Sequence, residues 1–144
     1  MANTTVEIIY QPDQTTECER PLFLVPVPAG FPSPADDYIE NQLDLNKYLI
    51  KHPAATFFVK VKGDSMIDAG IHSGDILIVD RSLEATDKKV VIAVVDGELT
   101  VKRIRKIDDK VFLMPENCDF SATEITGAMD FTVWGVVTNV IHKL

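Results

Sequence analysis

Six of the eight prolines crowd into one early stretch, at Pro12, Pro21, Pro26, Pro28, Pro32 and Pro34. Each proline removes a backbone donor and biases the residue before it away from helix. The chain up to about residue 35 is therefore barred from helices and central strands, and it is expected to be an extended, loosely docked arm. Within it, Pro21-Leu22-Phe23-Leu24-Val25-Pro26-Val27-Pro28 is apolar enough to lie along a groove or a sheet edge. Everything after the arm must build the core, and its length suits one domain.

That remainder reads as strands. Thr56 to Val61 alternates, with Phe57, Val59 and Val61 on one side, and Asp75 to Asp80 is a short apolar run between charges. Val90–Val95 and Glu98–Ile104 flank Asp96-Gly97, a two-residue hairpin signal. Lys110–Met114 and Phe131–Ile141 complete the set. Asp44 to Lys51 predicts one short helix, capped by Asp44, with Leu45, Tyr48 and Leu49 on one face and Pro53 barring continuation. Several short strands joined by tight turns predict a mostly β domain coiled on itself.

A net charge of −8, from 22 acidic and 14 basic residues, argues against a general nucleic-acid binder. The dense basic stretch Lys102-Arg103-Ile104-Arg105-Lys106 alternates like a strand with one wet face. Two distant cysteines, Cys18 and Cys118, fit a reducing cytoplasm better than a disulfide scaffold. There is no C-x-x-C, and His52, His72 and His142 are scattered, so neither a metal site nor a cofactor is expected. The N-terminus lacks the basic start and apolar core of a signal peptide, and no apolar run is long enough to cross a bilayer.

Three segments can carry chemistry. Gly63-Asp64-Ser65-Met66 puts a serine in a tight turn, where backbone N–H groups can also meet a developing oxyanion. A serine hydroxyl is a poor nucleophile without a neighbouring base. The plain alternative is a Gly-Asp-Ser turn in which Ser65 caps the helical stub Met66–Gly70. Lys102 lies in the strand Leu99-Thr100-Val101-Lys102, and burial lowers a lysine pKa until the amine can act as a base. Thr100, two residues earlier, shares its face and can orient the amine. The plain alternative is a solvent-facing lysine beside Arg103 and Arg105. Finally, Ala29-Gly30 offers small side chains on both sides of a bond, between prolines that keep it out of regular structure; otherwise it is an ordinary linker.

The combination resembles the LexA/UmuD family of self-cleaving Ser-Lys peptidases. The resemblance spans roughly Gly30 to the C-terminus. It rests on Gly30-Phe31-Pro32-Ser33-Pro34-Ala35, Asp44-Leu45-Asn46, His52-Pro53-Ala54-Ala55-Thr56, Gly63-Asp64-Ser65-Met66-Ile67-Asp68, Ser73-Gly74-Asp75 and Val95-Asp96-Gly97-Glu98-Leu99-Thr100-Val101-Lys102. It implies Ser65 as nucleophile, Lys102 as general base, and Ala29–Gly30 as the scissile bond. Ala29 stands where UmuD-type chains often carry Cys; it is the LexA choice. Further implications are a LexA-like domain of coiled, highly twisted antiparallel sheets with one or two short helices, and a homodimer. Residues 1–29 would be an arm removed by self-cleavage, and 30–144 the peptidase and dimerisation domain. The resemblance also implies stimulation by a RecA filament on single-stranded DNA during the SOS response. The processed form would then join a Y-family polymerase subunit of the UmuC type for error-prone translesion synthesis. The proline-rich residues before Gly30 are too few for a helix-turn-helix, which argues against a repressor with direct DNA binding. The rival reading is a non-enzymatic dimeric polymerase-accessory module with a vestigial dyad; a peptidase acting on other substrates, like the signal peptidases, is disfavoured by the lack of a membrane segment.

Overall fold

The hairpin anticipated at Asp96-Gly97 is present in the computed structural model, which describes residues 2–13, 19–23 and 39–144. In chain order the described strands are β1 (Thr5–Tyr10), β2 (Glu19–Phe23), β3 (Ile39–Asp44), β4 (Thr56–Lys62), β5 (Ile76–Asp80), β6 (Val90–Val95), β7 (Glu98–Ile107), β8 (Lys110–Met114), β9 (Thr123–Ile125) and β10 (Phe131–Ile141). One α-helix, α1 (Leu45–Leu49), follows β3. Asp96 and Gly97 have φ of 49° and 84°, the doubly left-handed backbone of a type I′ turn, so β6 and β7 pair in register from Val95↔Glu98 to Val90↔Arg103.

The chain folds as two compact units, Met1–Pro12 with His52–Leu144, and Asp13–Lys51. In the smaller unit, β2 and β3 form a two-stranded antiparallel sheet, and Pro21 sits opposite Gln42. Both strands of such a ribbon are edges, where a proline costs no interior ladder bond. Asp44 caps α1 as its sequence predicts: its Oδ1 accepts from the Asn46 N–H at 2.9 Å.

In the larger unit, eight strands form one antiparallel sheet in the order β1-β4-β5-β10-β6-β7-β8-β9. A further pairing of β1 with β7, at Thr5↔Thr100, brings the sheet back on itself like a barrel. One core cluster gathers Val59, Val61, Met66, Ile71, Leu77, Val79, Ile92 and Val101; a second holds Val91, Ala93, Ile104, Leu113 and Val136. Ile92 and Val91, neighbours on β6, point to different clusters, as successive strand residues must. The described residues are thus mostly β with one short α-helix.

One expectation is corrected here. Thr5–Tyr10 is no loosely docked arm but a strand of the main sheet, running Thr5↔Lys62 to Tyr10↔Phe58 against β4 with a bulge between Val6 and Ile8. The compact units divide at residues 12 and 51.

Candidate active site

Met66 fixes the turn that carries Ser65. Its side chain is wholly buried in the first core cluster, and a 3-10 turn, Ile67–Ala69, follows it. Gly63 enters the turn with φ of 101°, a left-handed backbone that side-chain-bearing residues rarely adopt. The turn is tied down further by the Asn117 amide, which donates to the Asp64 carbonyl, and by the Glu116 N–H, which donates to that of Ser65.

β7 brings up the second group. Lys102 pairs across the ladder with the buried Val91, and its Nζ lies 2.9 Å from Ser65 Oγ. The same amine donates to Thr100 Oγ1 and to the Val101 carbonyl, each at 3.2 Å. Ser65 is fully buried and Lys102 only 7% exposed. Burial lowers the Lys102 pKa from 10.5 to about 8, because the ammonium has lost much of its hydration. About one lysine in ten is then neutral at pH 7, against fewer than one in a thousand for the free side chain.

The residues singled out in the sequence therefore meet. Ser65, Lys102 and Thr100 are joined by hydrogen bonds, Gly63 and Asp64 form the turn, and Met66 anchors it. The Ser65 hydroxyl does not cap the 3-10 turn, whose N-cap is Met66 without a side-chain bond. Ala29 and Gly30 lie outside the described residues, as does Cys18.

Two features escaped the sequence reading. The first is that residues 2–5 lie in the site. The Thr4 N–H donates to Ser65 Oγ at 2.8 Å, and the Thr4 carbonyl accepts from the Val101 N–H and from Thr100 Oγ1. A cleft of about 670 Å³ opens beside this segment, lined by Asn3, Thr5, Leu99, Lys102 and Phe120 among others. The second is that two of the scattered histidines converge. His142 Nδ1 lies 2.6 Å from Asp75 Oδ1, and His72 Nδ1 lies 3.8 Å from Asp75 Oδ2. All three donor atoms fall within 4.8 Å of one another. The two histidines are far apart in sequence, so no local spacing announces the cluster.

Comparison with known proteins gives the same direction. The Peptidase S24-like family matches residues 21–138. Protein SamA of Salmonella typhimurium is 47% identical over 94% of this chain and 95% of its own length. Protein MucA of Escherichia coli is 44% identical over 83% of this chain and 82% of its own. The LexA repressor of Shewanella baltica is 36% identical over 96% of this chain, which spans 66% of that protein. No helix among the described residues is long and apolar enough to cross a membrane.

Proposed function

This chain belongs to the Peptidase S24-like family, within the LexA/UmuD group that its motifs resemble, and from that premise we propose that it is a serine peptidase that cuts its own Ala29–Gly30 bond. The observation that carries the reading is the 2.9 Å contact between Ser65 Oγ and a buried lysine amine whose pKa is lowered to about 8.

The chemistry follows from that pair. Neutral Lys102 takes the hydroxyl proton as Ser65 Oγ attacks the Ala29 carbonyl carbon. The tetrahedral adduct collapses, the C–N bond breaks, and the Lys102 ammonium returns the proton to the Gly30 amine. Water then hydrolyses the Ala29 ester, again with Lys102 as base, leaving residues 1–29 with a free carboxylate. Thr100 is a positioning residue: by accepting from Nζ at 3.2 Å it turns the amine toward Ser65.

By the same resemblance, cleavage belongs to the SOS response to DNA damage, in the cytoplasm. A RecA filament on single-stranded DNA stabilises the cleavable pose and supplies no catalytic group. The processed homodimer then serves a Y-family translesion polymerase. The test is intact mass after incubation of the pure protein at alkaline pH, and at neutral pH with RecA, ATP and single-stranded DNA. Two fragments that split at Ala29–Gly30 in both arms are expected. An uncut chain in both would leave an accessory module without protease activity.

A further inference from the structure

We infer that the groove beside Ser65 is a binding site for an extended peptide, and that its resident ligand is this chain's own residues Ala2–Tyr10, which exclude the scissile segment before cleavage and stay bound after it. What this says about cleavage rests on the Ser65–Lys102 reading; the binding itself does not.

The contacts are those of a peptide adding itself to a sheet edge. The Ala2 carbonyl accepts from the Asp64 N–H at 2.9 Å, and the Thr4 carbonyl accepts from the Val101 N–H at 3.0 Å. The Asn3 carbonyl passes so close to Gly63 that a Cβ there would stand 2.1 Å from its oxygen. Any other residue at position 63 would push the strand out. Beyond Thr4, the ladder with β4 continues to Tyr10, and Val6 packs on the first core cluster.

This occupant is placed as an inhibitor rather than a substrate. Ser65 Oγ accepts the Thr4 N–H, so an amide N–H rather than a carbonyl carbon faces the hydroxyl. Thr4 and Ser65 are both wholly buried. Ala29–Gly30 cannot reach the hydroxyl while Thr4 is there. The observed cleavage rate is then the intrinsic rate multiplied by the fraction of molecules whose groove is open. Among the described residues, the partners of residues 2–10 lie in β4, β7 and the Gly63–Ser65 turn, all on the C-terminal side of the scissile bond. The cut therefore severs none of them; it only turns an intramolecular strand into a bimolecular one.

Thr4 makes the inference testable in both directions. Its Oγ1 is buried without a hydrogen-bond partner. Thr4→Val keeps the shape and removes that penalty, so the strand should hold more tightly and cleavage at pH 10 should slow several-fold. Thr4→Arg must bury a charge to stay docked, so the strand should leave and cleavage should rise by about tenfold or more. Adding a synthetic peptide of residues 2–12 should slow the Thr4→Arg chain again. In parallel, the fluorescein-labelled peptide is titrated against the Thr4→Arg chain and read by anisotropy, which needs no catalysis. Saturable binding that is lost when the peptide carries Thr4→Arg is expected. On size exclusion of the cleaved wild type, fragment 1–29 should co-elute with 30–144 and separate in denaturant. No peptide binding, with cleavage equal in wild type and both variants, would overturn the inference. Peptide binding without cleavage in any variant would uphold it and refute the dyad instead.

Discussion

Lys102 and Asp80 are both ionisable, both nearly inaccessible, and both titrate below their ordinary values, yet burial has opposite outcomes at the two places. Lys102 is 7% exposed and Asp80 is 4% exposed. At Asp80, burial pushes the carboxyl up, but the Ser82 hydroxyl, His52 Nδ1 and the Ser82 N–H all point at it and carry it below 3.8. A lowered carboxyl is a stabilised anion. At Lys102, burial acts without a compensating acidic partner among the described residues, and a lowered amine is a destabilised cation. The first arrangement holds a structure together. The second costs folding free energy and leaves an amine that can be neutral near physiological pH, the kind of expense a fold retains at a reactive site.

The sharpest way to break the comparison is to remove each group in turn. Lys102→Met should cut self-cleavage by about 10²–10⁴-fold, the usual contribution of a general base, without lowering Tm at pH 7. Asp80→Asn should leave cleavage within a few-fold and lower Tm. Should Lys102→Met unfold the protein, or Asp80→Asn abolish cleavage in a folded chain, the two roles would be reversed.

The second effect is on stability as a function of pH. The folded pKa of Lys102 lies below its unfolded value, so the unfolded chain binds more protons between about 8 and 10.5, and folding stability rises with pH across that window. The gain is at most about 3 kcal/mol, reduced by the water that the neighbouring cleft admits. Denaturant unfolding from pH 7.5 to 10.5 should show it in the wild type and not in Lys102→Met. Asp80 has the opposite sign: its contribution is present above about pH 4 and is lost as pH falls through its lowered folded value.

Smaller effects should follow around Asp80. Asp80→Asn removes charge-assisted hydrogen bonds and should cost about 1–3 kcal/mol in urea unfolding at pH 7. His52 is half exposed, so His52→Gln should cost less than about 1 kcal/mol. A larger loss for His52→Gln than for Asp80→Asn would show that the histidine, not the hydroxyl and amide of Ser82, stabilises the carboxylate.

How far the sequence reveals this molecule depends on range. Local chemistry was readable: Asp96-Gly97 demands positive φ and has it, Asp44 accepts from Asn46, and the alternating Thr56–Val61 lies in β4. Ser65 and Lys102 were readable as candidates through motif resemblance, and the structure brings them within hydrogen-bond distance. Non-local pairings were not readable. Thr5-Val6-Glu7-Ile8-Ile9-Tyr10 has strand-like residues, but nothing nearby shows that its partners lie at Lys62 and Thr100. His72 and His142 meet only because β10 ends beside the turn that precedes β5. β9 is three residues long, too short for any period to show.

The central claim is that a neutral Lys102 amine is the base. The direct measurement is the first-order rate of self-cleavage at Ala29–Gly30 from pH 6 to 10.5, for wild type and for Lys102→Arg, followed by intact mass. The account predicts a wild-type rate that rises about tenfold per pH unit and levels off with a midpoint near 8, the value that burial gives Lys102. It predicts no cleavage by Lys102→Arg at any of these pH values, since a guanidinium keeps its proton throughout. A flat wild-type profile, a midpoint near the ordinary lysine value of 10.5, or an active Lys102→Arg chain would contradict it.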